Sequence, residues 1–179
     1  TWIPRWTDSG GAFAIEQAAL TGYDLIEVLF PEDLHIDTSA IRKQLKKHNL
    51  GLRCACILPS AYHLTVYPEK AKKYLCSAID RVEELEGNLL AGVLYTAIGQ
   101  YSGQLRSKEE WGRMVDVLGE VALYAKVRGI SLALEPINRY ETYLLTSAQE
   151  VLTLIADIGA ENIGLHLDTF HMNIEEPKV

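Results

Sequence analysis

The chain has 179 residues, 48% of them apolar and 23% charged, which suits a single globular core and excludes disordered and fibrous classes. Twenty-four acidic residues against 17 basic ones leave a formal charge of -7, so the surface as a whole repels a phosphate backbone and no basic stripe invites nucleic acid. No apolar run approaches the roughly 18 residues of a membrane span, and residues 1–8 lack the regions of a signal peptide, so a soluble, cytoplasmic protein is expected.

In chain order, the first element is the apolar run "YDLIEVLF" (23–30), bounded by turn residues and read as a buried strand. It contains Glu27, and a carboxylate inside a strand must be paired or lie beside a cavity. The second strand is "GLRCACIL" (51–58), with Cys54 and Cys56. Together with Cys76 they make three cysteines, in no zinc-binding spacing, and are read as small packing residues in a reducing compartment. Pro68 then opens an amphipathic helix on which Ala71, Leu75, Ile79, Val82 and Leu85 share one face.

The third strand is "LLAGVLYTA" (89–97). Ser107 with Glu110 forms a capping signal for a helix whose apolar face runs Trp111, Met114, Leu118, Val121 and Ala125. The fourth strand, "ISLALEPI" (130–137), precedes a helix opened by Ser147 with Glu150, and the fifth is "NIGLHLD" (162–168). Gly51, Gly87, Gly129 and Gly159 follow helical stretches, where a left-handed residue closes the last turn. Strands alternating with helices give right-handed βαβ units and a parallel sheet, either open and doubly wound or closed into a barrel. No Gly-x-Gly-x-x-Gly turn follows the first strand, which favours the barrel, and in both forms ligands sit at the carboxyl ends of the strands.

Strand alternation then selects the candidates. Ser131, Ala133 and Glu135 share one face of the fourth strand, and Gly164, His166 and Asp168 share one face of the fifth. Two carboxylates at the ends of adjacent parallel strands repel unless a proton or cation lies between them, and a carboxylate-rich site with at most one imidazole suits Mn²⁺ or Mg²⁺. The competing expectation is that each carboxylate caps the following turn or meets a Lys or Arg. His171, three residues past Asp168, can lean over the same cavity from the loop, and Glu141 reads as a solvated loop carboxylate. His35, His48 and His63 read as surface or loop residues.

The strings "ALEPINRYE" (133–141) and "LDTFHMNIEE" (167–176), with "TGYDLIEV" (21–28) upstream, closely resemble the ketose 3-epimerases (D-tagatose and D-psicose 3-epimerases) of the xylose-isomerase-like sugar epimerase barrels. The resemblance runs across nearly the whole chain. It implies a (β/α)₈ TIM barrel holding one divalent cation, Mn²⁺ or else Mg²⁺ or Co²⁺, through two glutamates, an aspartate and a histidine. It implies epimerisation at C3 of free ketohexoses through a cis-enediolate, with Glu135 as metal ligand and C3 proton carrier and Asp168 as metal ligand. His171 and Glu141 would hydrogen-bond the sugar near O1 and O2, and Cys56 would lie toward its far end. In the family, the ligand histidine, a substrate-gripping arginine and a second catalytic glutamate come from strands after the "DTFHMN" segment.

The expectation is therefore one α/β domain over 1–179, clipped at its N-terminus and truncated at its C-terminus, with about six βα units, the first incomplete, where a barrel has eight. The expected partners are a sugar and further copies of the chain, as dimer or tetramer, with no nucleic acid or membrane. The alternatives are an aldose-ketose or hydroxypyruvate isomerase on a related barrel, and a non-catalytic sugar-binding or structural barrel. An apurinic endonuclease is a further one, opposed by the acidity, by "EPINR" and by the Phe-Met-Asn that follows Thr169.

Overall fold

The computed structural model describes residues 2, 3 and 6–178; Thr1, Pro4 and Arg5 of the first segment, and Val179, lie outside the described residues. After α1 (Asp8–Leu20) the chain runs β1 (Leu25–Leu29), α2 (Thr38–His48), β2 (Gly51–Ile57), α3 (Pro68–Glu84), β3 (Leu89–Val93) and α4 (Lys108–Lys126). It ends with β4 (Ser131–Leu134), α5 (Ala148–Ile158), β5 (Ile163–Leu165) and α6 (Thr169–Glu175). The five strands form one sheet in the order β1-β2-β3-β4-β5, every pair parallel. Five strands each followed by a helix, with α1 ahead of them, match the expected count of about six units with the first incomplete.

Local chemistry explains the boundaries. Ser107 closes a reciprocal capping box with Glu110, and the side chains of Thr7, Asp37 and Ser147 accept hydrogen bonds from the first turns of α1, α2 and α5. Gly159 ends α5 at φ 68, as expected, and Gly129 turns the chain after α4, also at φ 68. Gly51 and Gly87 are corrections: the left-handed residues there are Asn49 (φ 51) and Glu86 (φ 59), and Gly51 instead begins β2. The helices α1 and α2 were not legible as amphipathic stretches. In α2 only Ile41 and Leu45 are buried, and α1 buries mostly small residues, with Gly11 necessary because a Cβ there would lie 2.3 Å from the Trp6 ring.

Alternation along the strands divides the sheet into two faces. Val28, Cys54, Leu90 and Leu132 lie on one and are fully or almost fully buried against Ile79, Val82, Leu118, Val121 and Leu154 of the helices. Each such side chain contributes about 1.5–3 kcal/mol by leaving water. The other face carries small residues: Ala55, Ala91, Ala133 and Gly164 fall in one row of matched register. Small side chains there leave room above the row, at the carboxyl ends of the strands. That space is where polar groups collect.

Candidate metal and substrate site

β4 and β5 deliver Glu135 and His166 one residue past their last paired positions. The ladder continues through their backbones, with Glu135 N–H donating to the Gly92 carbonyl (3.0 Å) and His166 N–H to the Leu134 carbonyl (2.8 Å). Both side chains therefore rise from rigid backbone into the space above Ala133 and Gly164. The Glu135 carboxylate meets two imidazoles: Oε2 lies 3.4 Å from His166 Nδ1 and Oε1 lies 3.8 Å from His171 Nε2. His166 Nδ1 is buried and has no hydrogen-bond partner among the described residues.

Asp168 is the N-cap of α6, where its Oδ1 accepts from Phe170 N–H at 2.8 Å. The turn-capping expectation thus holds for Asp168, yet the same side chain joins the cluster. One ligand atom from each of Glu135, Asp168 and His171 lies within 4.8 Å of the others. The first turn of α6 places His171 against the loop that follows β4, and its side chain is 11% exposed.

Glu27 stands on the inward face of β1, in register with Arg53. Glu27 is exposed to solvent along this open face, yet partial desolvation by its neighbours raises its pKa first, followed by the negative charges of Glu135 and Asp168, with His166 opposing them. His166 is shifted up by the adjacent Glu135 carboxylate, against burial and with help from Glu27 and Asp168. Three carboxylates thus converge on one imidazole that can carry positive charge. That excess of hard oxygen donors, with an imidazole nitrogen left unpaired, fits a divalent cation of the Mn²⁺ or Mg²⁺ type.

Glu141 is half-buried rather than solvated: its Oε1 accepts from the Asn138 side-chain amide at 2.9 Å. The same amide reaches His171 Nδ1 at 2.9 Å, so Glu141 and His171, the two residues expected from the resemblance to touch a sugar, meet at Asn138. Beside it, Arg139 grips Glu175 through Nε (2.9 Å) and Nη2 (2.8 Å), tying α6 to the loop after β4. A cavity of about 500 Å³ opens at the ends of β1 and β2, walled by Trp6, Phe30, Ile57, Leu58 and Gln100. That is room for a small ligand.

Cys56 is the correction. It is fully buried on the helix-packed face with Cys54, opposite in pleat to the row of Ala55, and is not brought to the cluster. Burial pushes the thiols of Cys54 and Cys56 up to about 12. In the folded chain at about pH 8, an aromatic disulfide reagent should count one thiol, the partly exposed Cys76, and three after unfolding in urea. A native count of three would place Cys56 within reach of solvent. His63 lies in a loop, as expected, but buried rather than at the surface, with Nδ1 accepting from Ala97 N–H at 3.2 Å and Nε2 3.1 Å from the Thr65 hydroxyl.

Sequence reasoning flagged Glu27 as an anomaly and placed His166 on the right face without giving it a role. It missed Asn138 and the Arg139–Glu175 pair, which no spacing marks. Among the described residues, no helix is long and apolar enough to cross a membrane.

The pattern of the xylose isomerase-like TIM barrel family matches residues 15–178. An L-ribulose 3-epimerase of Methylomonas sp. (strain DH-1) is 35% identical over 98% of this chain and 62% of its own. A D-psicose 3-epimerase of Ruminiclostridium cellulolyticum is 30% identical over 99% of this chain and 63% of its own. The crystal structure of a D-allulose 3-epimerase from Methylomonas sp. in complex with D-allulose superposes with a TM-score of 0.92 at 34% identity, covering 98% of this chain and 62% of that one. The chain thus spans somewhat under two thirds of the length of these relatives.

Proposed function

The chain belongs to the xylose isomerase-like TIM barrel family, and from that premise we propose that it is the metal-site portion of a ketose 3-epimerase acting on free ketohexoses. The observation that carries this reading is the convergence of Glu135, Asp168 and His171 at the carboxyl ends of β4 and β5. The names of the relatives, and the D-allulose bound to one of them, support the choice of a ketose and of C3. On this reading residues 1–179 are a continuous part of one barrel domain.

Glu135 and Asp168 would hold the cation, Mn²⁺ in the first place, with Mg²⁺ and Co²⁺ as alternatives. When bound, the cation withdraws charge from the sugar oxygens and so makes the C3 proton more acidic. The work of this chain's own residues is positional and acid-base. Glu135, 13% exposed at its side chain and fixed by the β3–β4 ladder, takes or returns the proton at C3. His171 and Glu141, joined through Asn138, hold the hydroxyl end near O1 and O2. Inversion needs a second proton carrier on the opposite face of C3. We assign it, with the remaining ligand histidine and an arginine, to the part of the relatives' length that this chain does not span.

The test is turnover of D-allulose in D₂O by the full-length protein, with that further length present, and with Mn²⁺, Mg²⁺ or Co²⁺. The expected product is the C3 epimer carrying one deuterium at C3. An aldose product, or no turnover with any of the three ions, overturns the reading. Chelation gives a second readout, since a ligand present at 100 times its dissociation constant stabilises the folded chain by about 2.7 kcal/mol. Removing the ion should lower Tm by about 5–10 °C for a domain of this size. An unchanged Tm would argue against a resident cation.

A further inference from the structure

We infer that Asn138 is a positioning residue that fixes the His171 ring as the tautomer carrying its proton on Nε2 and holds Glu141 on the same amide. The inference rests on the reading of His171 and Glu141 as the groups that hold the sugar. Asn138 is 1% exposed and sits where the chain leaves β4, three residues after Glu135.

The orientation of its amide follows from the network. Oδ1 accepts from Tyr140 N–H at 3.0 Å, an Asx-turn contact only the oxygen can make. Nδ2 therefore faces the other way, toward Glu141 Oε1 at 2.9 Å and His171 Nδ1 at 2.9 Å. Asn138 donates its backbone N–H to the same Nδ1, at 3.1 Å. A ring nitrogen has one in-plane lone pair, and here two N–H donors converge on it. A proton on Nδ1 would face both donors head on.

The neutral ring must then carry its proton on Nε2, the atom that looks toward Glu135 Oε1 at 3.8 Å. This gives His171 a defined task. It presents an N–H into the site as a donor for a hydroxyl, carbonyl or carboxylate oxygen, and it does not offer a free lone pair to a metal. The cation falls to Glu135 and Asp168, although the ring lies close enough to be counted with them. Holding Glu141 through the same amide sets an acceptor beside that donor, a pair suited to a vicinal carbonyl and hydroxyl.

The experiment is nitrogen-15 NMR of the intact protein labelled at histidine, with the Asn138→Asp and Arg139→Leu variants. Asp keeps the volume and the bond from Tyr140 but replaces the side-chain donor facing Nδ1, the nearer of the two at 2.9 Å, with a charged acceptor that outweighs the backbone N–H left at 3.1 Å. In the unsubstituted protein, His171 should show Nδ1 as bare nitrogen and Nε2 as N–H. Asn138→Asp should bring a proton to Nδ1 and lower kcat/KM by about 10- to 100-fold, the usual cost of losing a partner that orients a site histidine. Arg139→Leu loosens the anchor of α6 and should lower Tm while leaving the proton on Nε2. A proton on Nδ1 in the unsubstituted protein overturns the inference even if Asn138→Asp does not fold. So does an unmoved proton in Asn138→Asp, or an equal shift in both variants. If the tautomer is as stated and no sugar is turned over, the epimerase reading fails and this one stands.

Discussion

Glu135→Gln should lower exchange of the substrate's C3 hydrogen with solvent by about 10²- to 10⁴-fold, the range a single proton carrier contributes. The substitution is nearly isosteric, and among the described residues the Glu135 carboxylate makes no contact closer than the two imidazoles, at 3.4 and 3.8 Å, so no short hydrogen bond that holds the fold is lost. The structural role of this residue lies in its backbone N–H, which the variant keeps. A chain that melts as before yet no longer incorporates deuterium at C3 is the expected outcome. Undiminished exchange, followed by proton NMR in D₂O, would remove Glu135 from the proton-carrying role. The amide also weakens the carboxylate set for a cation. The exchange is therefore to be measured over a range of Mn²⁺ concentrations, where a pure ligand defect would be rescued and a lost base would not.

Gly92→Ala should cost about 4 kcal/mol or more of stability, at the upper end of what single substitutions do. Gly92 has φ +111, a conformation that residues with a side chain rarely adopt, and a Cβ there would lie 2.4 Å from the Cys56 carbonyl oxygen. That oxygen belongs to the neighbouring strand, so relief requires β2 and β3 to move apart. The Gly92 carbonyl also accepts the backbone N–H of Glu135 at 3.0 Å and that of Leu94 at 3.1 Å. Any shift therefore displaces the backbone that carries the Glu135 carboxylate. In thermal denaturation the midpoint should fall by about 8–16 °C for a domain of this size. A fall of only a few degrees would show that the strand end can relax without the contact described.

Among the described residues, the strands and three of the six α-helices are legible because each announces itself within its own span. Apolar runs ended by turn residues marked all five strands, and capping pairs at Ser107 and Ser147 marked two helix starts within a residue. The runs overshot the paired strands, as with 89–97 against Leu89–Val93, because residues beyond the ladder, among them Leu94 and Tyr95, are as buried as those within it. α1 escaped because its buried positions are mostly Gly and Ala, which carry little hydrophobic contrast against the exposed face.

At the site, period-two alternation put Glu135, His166 and Asp168 on one face because the pleat turns successive side chains to opposite sides whatever surrounds them. That much the sequence determined by itself, together with the parallel sheet and the likeness in its two motif strings. What only the tertiary structure decided was which of these groups meet: Glu135 and Asp168 around His171, Cys56 turned into the helical layer, His171 held through Asn138. Such contacts depend on strand order, register and the angle at which α6 leaves β5. Those are set by packing between segments far apart in the chain, which no local run of residues encodes.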